Sequence, residues 1–195
     1  MARRVSETAR KAATSTTRGV GALCLLLGFM LAQGCATNLT KPAGTPRPTT
    51  VRLSTFQTVT MKPVEIAPEF ASAGANQKAA KRINEVLVDD MRMVFPNLRE
   101  ASGEDVRAGL LIEPLIQEIK FIGGAARFWV GAMAGSSAVL MKASFRDAST
   151  GEIIGEPQFY RDAGAYSGGY SMGATDNRML EDIAKDIVNY AMLNR

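Results

Sequence analysis

The chain has 195 residues, of which 46% are apolar; 23 are Lys or Arg, 19 are Asp or Glu, two are Cys and none is His. That length suffices for one domain with a sizeable core. Without histidine the commonest general base and the commonest neutral metal ligand are both missing, so no metal site and no cofactor are expected.

Arg3, Arg4, Arg10, Lys11 and Arg18 precede a thirteen-residue apolar run, Val20 to Ala32. As a helix this run would reach about 20 Å, short of the ~30 Å of a hydrocarbon core, which suits a signal peptide better than a membrane span. It leads into Leu31-Ala32-Gln33-Gly34-Cys35. This resembles the lipobox of bacterial lipoprotein signal peptides, with the small residue Gly34 just before the cysteine. The resemblance implies cleavage between Gly34 and Cys35 and lipid on Cys35. An ordinary signal peptide cut nearby, a buried thiol at Cys35 and an uncleaved anchor are the competing readings. Arg3-Arg4 is followed by Val-Ser-Glu, not by the apolar continuation of a twin-arginine signal.

Taking Cys35 as the first mature residue changes the composition. Five of the cations and, among the acids, only Glu7 lie ahead of it, which leaves eighteen of each sign in residues 35–195. The mature chain is formally neutral and gives no electrostatic reason to expect nucleic acid as a partner. Cys24 leaves with the signal segment and Cys35 is linked to lipid, so no thiol remains for a disulfide, a metal or catalysis.

Residues 35–50, rich in Pro and Thr, read as a tether that cannot bury apolar surface and holds the domain off the membrane. A domain over 51–195 then begins with the β-favouring run Val51 to Val59. Pro63 and Pro68 interrupt any regular element after it. Ala79, Ala80, Ile83, Val86, Leu87 and Val94 have helical spacing between Asn76 and Phe95, and Pro96 stops that helix. Leu110 to Ile122 reads as a long strand, in which Pro114 marks a sheet edge or a bulge. Val139 to Arg146 alternates as a half-buried strand, Asp147 to Gly151 turns, and Glu152 to about Arg161 returns as another strand. Beyond the flexible stretch Gly164 to Gly173, Leu180, Ile183, Ala184, Ile187, Val188 and Ala191 form the apolar stripe of a final helix. The predicted fold is an α+β two-layer sandwich, with a roughly four-stranded mixed or antiparallel sheet and two helices packed on it.

Two motifs invite a functional reading. Gly169-Tyr170-Ser171-Met172-Gly173 matches the nucleophile elbow of α/β-hydrolases, but no histidine follows to take the serine proton and only 22 residues remain after Gly173. Lys185 is the only downstream lysine and falls on the polar side of the helix, so a serine hydrolase through Ser171 ranks last. Tyr166 and Tyr170 are contact residues or plain loop aromatics. In the second motif, Phe121 to Ser136, Gly131 and Gly135 form a G-x-x-x-G within a glycine-dense stretch carrying Arg127, Phe128, Trp129 and Met133. Arg127 and the glycines oppose a membrane helix. Internal packing, a partner interface and membrane insertion all remain open for it. The carboxylate pairs Asp89-Asp90 and Glu181-Asp182 lie on polar helix faces and read as solvated charge.

Gly123-Gly124, Arg127-Phe128, Gly131, Gly135-Ser136, the following strand, Asp147 to Glu152 and the closing helix together resemble small Gram-negative lipoproteins grouped as a domain of unknown function. The resemblance spans about residues 105–193. It brings no catalytic residues and implies an outer-membrane, periplasm-facing address, in keeping with Ala36 and Thr37 where inner-membrane retention in enteric bacteria favours aspartate. The expected function is a lipid-anchored, non-enzymatic binding or adapter module with an envelope protein as partner. The alternative is a subunit of an oligomeric secretion or transport assembly.

Overall fold

The computed structural model describes residues 39–101, 106–122, 136–163 and 174–195. Leu39–Arg195 is a compact unit. Its described residues form one mixed sheet of seven strands: β1 (Val59–Met61), β2 (Glu65–Ile66), β3 (Leu98–Glu100), β4 (Leu110–Lys120), β5 (Ala138–Asp147), β6 (Ile153–Gly155) and β7 (Gln158–Asp162). Three helices, α1 (Pro68–Ala71), α2 (Gly74–Val94) and α3 (Ala174–Leu193), and a short 3-10 turn at Leu53–Thr55 complete it. The sheet order is β3-β1-β4-β5-β6, with β2 also beside β4 and β7 also beside β5. β1 and β2 run parallel to β4, whereas β5 is antiparallel to β4, β6 and β7.

The four-stranded, two-helix sandwich expected from the sequence is therefore corrected to seven strands and three helices. Of the three additional strands, β2 and β3 have two and three residues, too few for alternation to register as a pattern, and the third comes from the division of an expected strand. Two lie next to prolines that the sequence marks as interruptions: β2 fits between Pro63 and Pro68, and β3 follows Pro96. Pro68 itself opens α1, a position where its missing N–H costs nothing. The run from Val51 to Val59 contributes only its last residue to a strand, because the Leu53 N–H donates to the Asn194 carbonyl and the chain turns there. The strand expected from Glu152 to Arg161 is split into β6 and β7 by Glu156-Pro157. Pro157 cannot donate to a ladder, but its carbonyl accepts the Ala143 N–H and keeps β5 satisfied across the break.

Pro114 lies in the middle of the sheet, and its neighbours make this tolerable. On one side it sits opposite Ala143, whose N–H points away to Pro157. On the other side β1 pairs with β4 as far as Ile112 and β2 begins at Leu115. The missing N–H thus faces the gap between two short strands. The bulge is three residues further on, where Gln117 interrupts the register between Ile116 and Glu118. It resets the parity, so that Leu110, Ile112, Ile116 and Ile119 all reach the core beside Val139, Met141, Ala143 and Phe145 of β5.

Both long helices pack on that face. α3 buries Leu180, Ile183, Ala184, Ile187, Val188 and Ala191, the stripe legible in the sequence. α2 buries Ala79, Ala80, Ile83, Leu87, Val88, Met91 and Val94. It ends with Phe95 in extended conformation, as the residue before Pro96 must be. The helices run side by side in one direction: Arg82 pairs with Glu181 near their starts, and Met93 and Met192 share a groove at their ends. At the start of β4, Gly109 has φ +88° and a side chain there would collide with the Thr58 carbonyl and hydroxyl. Only glycine lets β1 and β4 begin this close together.

Candidate interaction surfaces

The chain reaches the domain along a strap, Lys41 to Pro48, which borders a groove of about 600 Å³ with Phe159, Tyr160, Tyr190 and Leu193 on its other wall. A second groove of about 590 Å³ lies along the opposite flank, against Ile153 to Gln158. Backbone and side-chain hydrogen bonds together fix the root of the strap. The Tyr190 hydroxyl donates to the Arg47 carbonyl at 2.8 Å, and the Thr49 N–H donates to Asn194 Oδ1 at 2.9 Å. The Thr50 N–H donates to the Ile154 carbonyl, and the Leu53 N–H to the Asn194 carbonyl. The Tyr190 ring packs on Phe145 and Phe159 at 5.4 and 6.0 Å between centroids, so the phenol is held rigidly by the core, and burial raises its pKa. Gly155 completes the seat: a Cβ there would stand 2.8 Å from Thr49 Cγ2 and 3.0 Å from the Tyr190 hydroxyl.

At the opposite end of the sheet, register aligns Lys120 with Ala138 and Ala138 with Asp162. The segments that follow Ile122 and Ala163 therefore leave the sheet at one end. Ser137, wholly buried, ties both roots: its Oγ accepts the Ile122 N–H at 3.0 Å and its carbonyl accepts the Ala163 N–H. Beside them Phe121, Ala79, Arg82, Asn177 and Leu180 line a groove of about 250 Å³ between the starts of α2 and α3.

The sheet face turned away from the helices carries charge. Glu113 receives Lys62 Nζ at 2.8 Å and Arg146 Nε at 3.1 Å, and Lys142 pairs with Glu156 at 2.9 Å. Burial alone would raise the Glu113 pKa, but the hydrogen bonds and charges of Lys62 and Arg146 outweigh it and hold the carboxyl below its ordinary range. The same contact raises Lys62. Opposite Glu113 lies Ser144, buried, with no hydrogen-bond partner for its Oγ among the described residues. These groups border a cleft of about 170 Å³.

Of the residues singled out in the sequence, Gly34, Cys35, Arg127, Phe128, Trp129, Met133, Tyr166, Tyr170 and Ser171 lie outside the described residues. The described residues supply the roots of their segments. Sequence reasoning did not find the seat of the strap, because Tyr190, Asn194 and Gly155 come from distant points in the chain and carry no local motif. Among the described residues no helix is long and apolar enough to cross a membrane, and no group of three or more acidic residues is placed to hold a metal ion.

No protein-family model matches the chain, and no curated protein matches it in sequence. Solved structures do resemble it. The PelC dodecamer from Paraburkholderia phytofirmans superposes with a TM-score of 0.48 at 16% identity, over 75% of this chain and 98% of that one. A Xanthomonas campestris protein described under DUF330 gives 0.44 at 9% identity, over 77% and 91%. A minor lipoprotein from Acinetobacter baumannii gives 0.33 at 9% identity, over 72% and 96%. Likenesses of this degree assign neither an activity nor an assembly to this chain.

Proposed function

We propose that this protein is a lipid-anchored, non-enzymatic envelope module that holds a protein partner at the end of its sheet opposite the root of its strap. The observation that supports the reading is the division of the domain between its two ends. The strap that follows Cys35 is rooted on Tyr190, Asn194 and Ile154 at one end. The segments bearing Arg127, Phe128, Trp129 and Met133, and Tyr166 and Tyr170, are rooted together on Ser137 at the other. Several acyl chains on Cys35 would give stable anchoring at ~0.8 kcal/mol per buried CH₂. A tethered domain then meets membrane-bound partners at a raised local concentration. The proposed address is the periplasmic side of the outer membrane.

Two measurements on the full chain test this. Cys35→Ala should abolish acyl labelling and release the protein from membranes; continued labelling would place the lipid elsewhere. A photoreactive residue in place of Trp129 should crosslink to a defined envelope protein in living cells. Light scattering that shows an oligomer dispersed by Trp129→Ala would instead favour the assembly subunit. Ser171→Ala should leave any cellular phenotype intact, and a loss would return attention to hydrolysis.

A further inference from the structure

The large apolar side chains left exposed among the described residues are Val51 (43%), Met93 (74%), Ile153 (43%), Met192 (56%) and Leu193 (82%). Scattered singly they would be ordinary surface. Here they lie at the end of the domain where α2 and α3 stop and where the strap is rooted. Met93 and Met192 line one groove with Val188 and Arg195, where α2 and α3 both end. Leu193 faces the strap from one flank and Ile153 from the other. Val51 follows Thr50, whose N–H and hydroxyl both reach the Ile154 carbonyl.

We infer that this end of the domain rests on a phospholipid surface, the membrane into which Cys35 is anchored, with these five side chains as its contacts. The inference rests on the lipoprotein reading of Cys35, and it replaces the expectation that residues 35–50 hold the domain off the membrane. Chain length argues for a membrane as the occupant. Lys41 borders the same groove as Leu193 and lies six positions after Cys35, a reach of at most about 20 Å when fully extended. The root of the strap at Arg47 is twelve positions from Cys35, a reach of at most about 40 Å, which keeps this end of the domain in the neighbourhood of the bilayer. Charge argues the same way. No acidic residue occurs from Cys35 to Val64, whereas Lys41, Arg47 and Arg52 are present and exposed. That sign complements anionic headgroups, and the combination of apolar tips with flanking cations is that of an interfacial contact.

The test uses the lipidated protein purified from membranes and reconstituted into vesicles of phosphatidylethanolamine and phosphatidylglycerol that contain brominated phosphatidylcholine. Tryptophan reporters are placed at the two ends of α3, Leu193→Trp and Asn177→Trp, each in a Trp129→Phe background. Both positions are exposed, so neither reporter disturbs the core. The Leu193→Trp reporter should be quenched at least about twofold more strongly than the other, as expected for side chains within reach of the acyl boundary. Adding Met93→Asp and Ile153→Asp should remove the difference. Equal quenching at both ends would overturn the inference. So would a dimer in light scattering that Met93→Asp disperses, since the patch would then belong to a second copy of the chain. Acyl labelling of Cys35→Ala reports separately on the anchor, so a failed anchor and a failed contact surface give different results.

Discussion

Glu113 and Ser144 face each other across β4 and β5, and they should respond to substitution in opposite ways. Glu113 is half-buried between two cations that lower its pKa despite the cost of burial. A lowered folded-state pKa means that the carboxylate adds stability above its unfolded pKa, and that this is lost as the pH falls through the folded value. Glu113→Gln should therefore cost about 1–2 kcal/mol at neutral pH. The deficit should vanish in acid, where the native side chain is protonated as well. Thermal melts of both proteins from neutral pH to below the carboxylate range measure this, and a deficit that did not change with pH would contradict it. Ser144 buries a hydroxyl that no described residue satisfies. Because an unpaired buried hydroxyl costs free energy and alanine keeps the shape, Ser144→Ala should leave the melting temperature unchanged or raise it. A loss of more than about 1 kcal/mol would mean that the hydroxyl has a partner.

At the scale of elements, the link between strap and body depends on one side chain more than any other. Asn194 accepts the Thr49 N–H through its side chain but the Leu53 N–H through its backbone. Asn194→Ala should therefore speed hydrogen exchange at Thr49 while leaving Leu53 protected. Equal acceleration at both would show that the whole end of α3 had come loose. This seat also shows what the sequence could and could not reveal. α2 and α3 were legible because their apolar residues repeat at helical spacing from Ala79 to Val94 and from Leu180 to Ala191, a signal that tertiary contacts reinforce. The Asp147 to Gly151 turn was legible too: Asp147 Oδ1 takes the Ser149 N–H, and Gly151 adopts φ +77°. β2 and β3 were not, since such short strands exist only because longer neighbours supply their partners. Pro114 was a true signal of irregularity, but the sequence could not show that the irregularity lay in its neighbours β1 and β2. Nor could it show that Asn194, one residue from the C-terminus, would close over Thr49.

For the molecule as a whole, the parallel course of β1, β2, β3 and β4 and the shared direction of α2 and α3 separate the two ends. One receives the strap and gathers the exposed apolar side chains; the other roots both glycine-rich segments on Ser137. The candidate contact residues were legible as residue types in the sequence, but their common root was not, because it depends on the register of β5 with both β4 and β7. Photocrosslinking from each end of the same chain in living cells tests this division most directly. A diazirine side chain at Leu193 should give adducts with phospholipid, and one at Trp129 should give adducts with protein. Protein adducts from Leu193 together with lipid adducts from Trp129 would reverse the orientation and contradict the account.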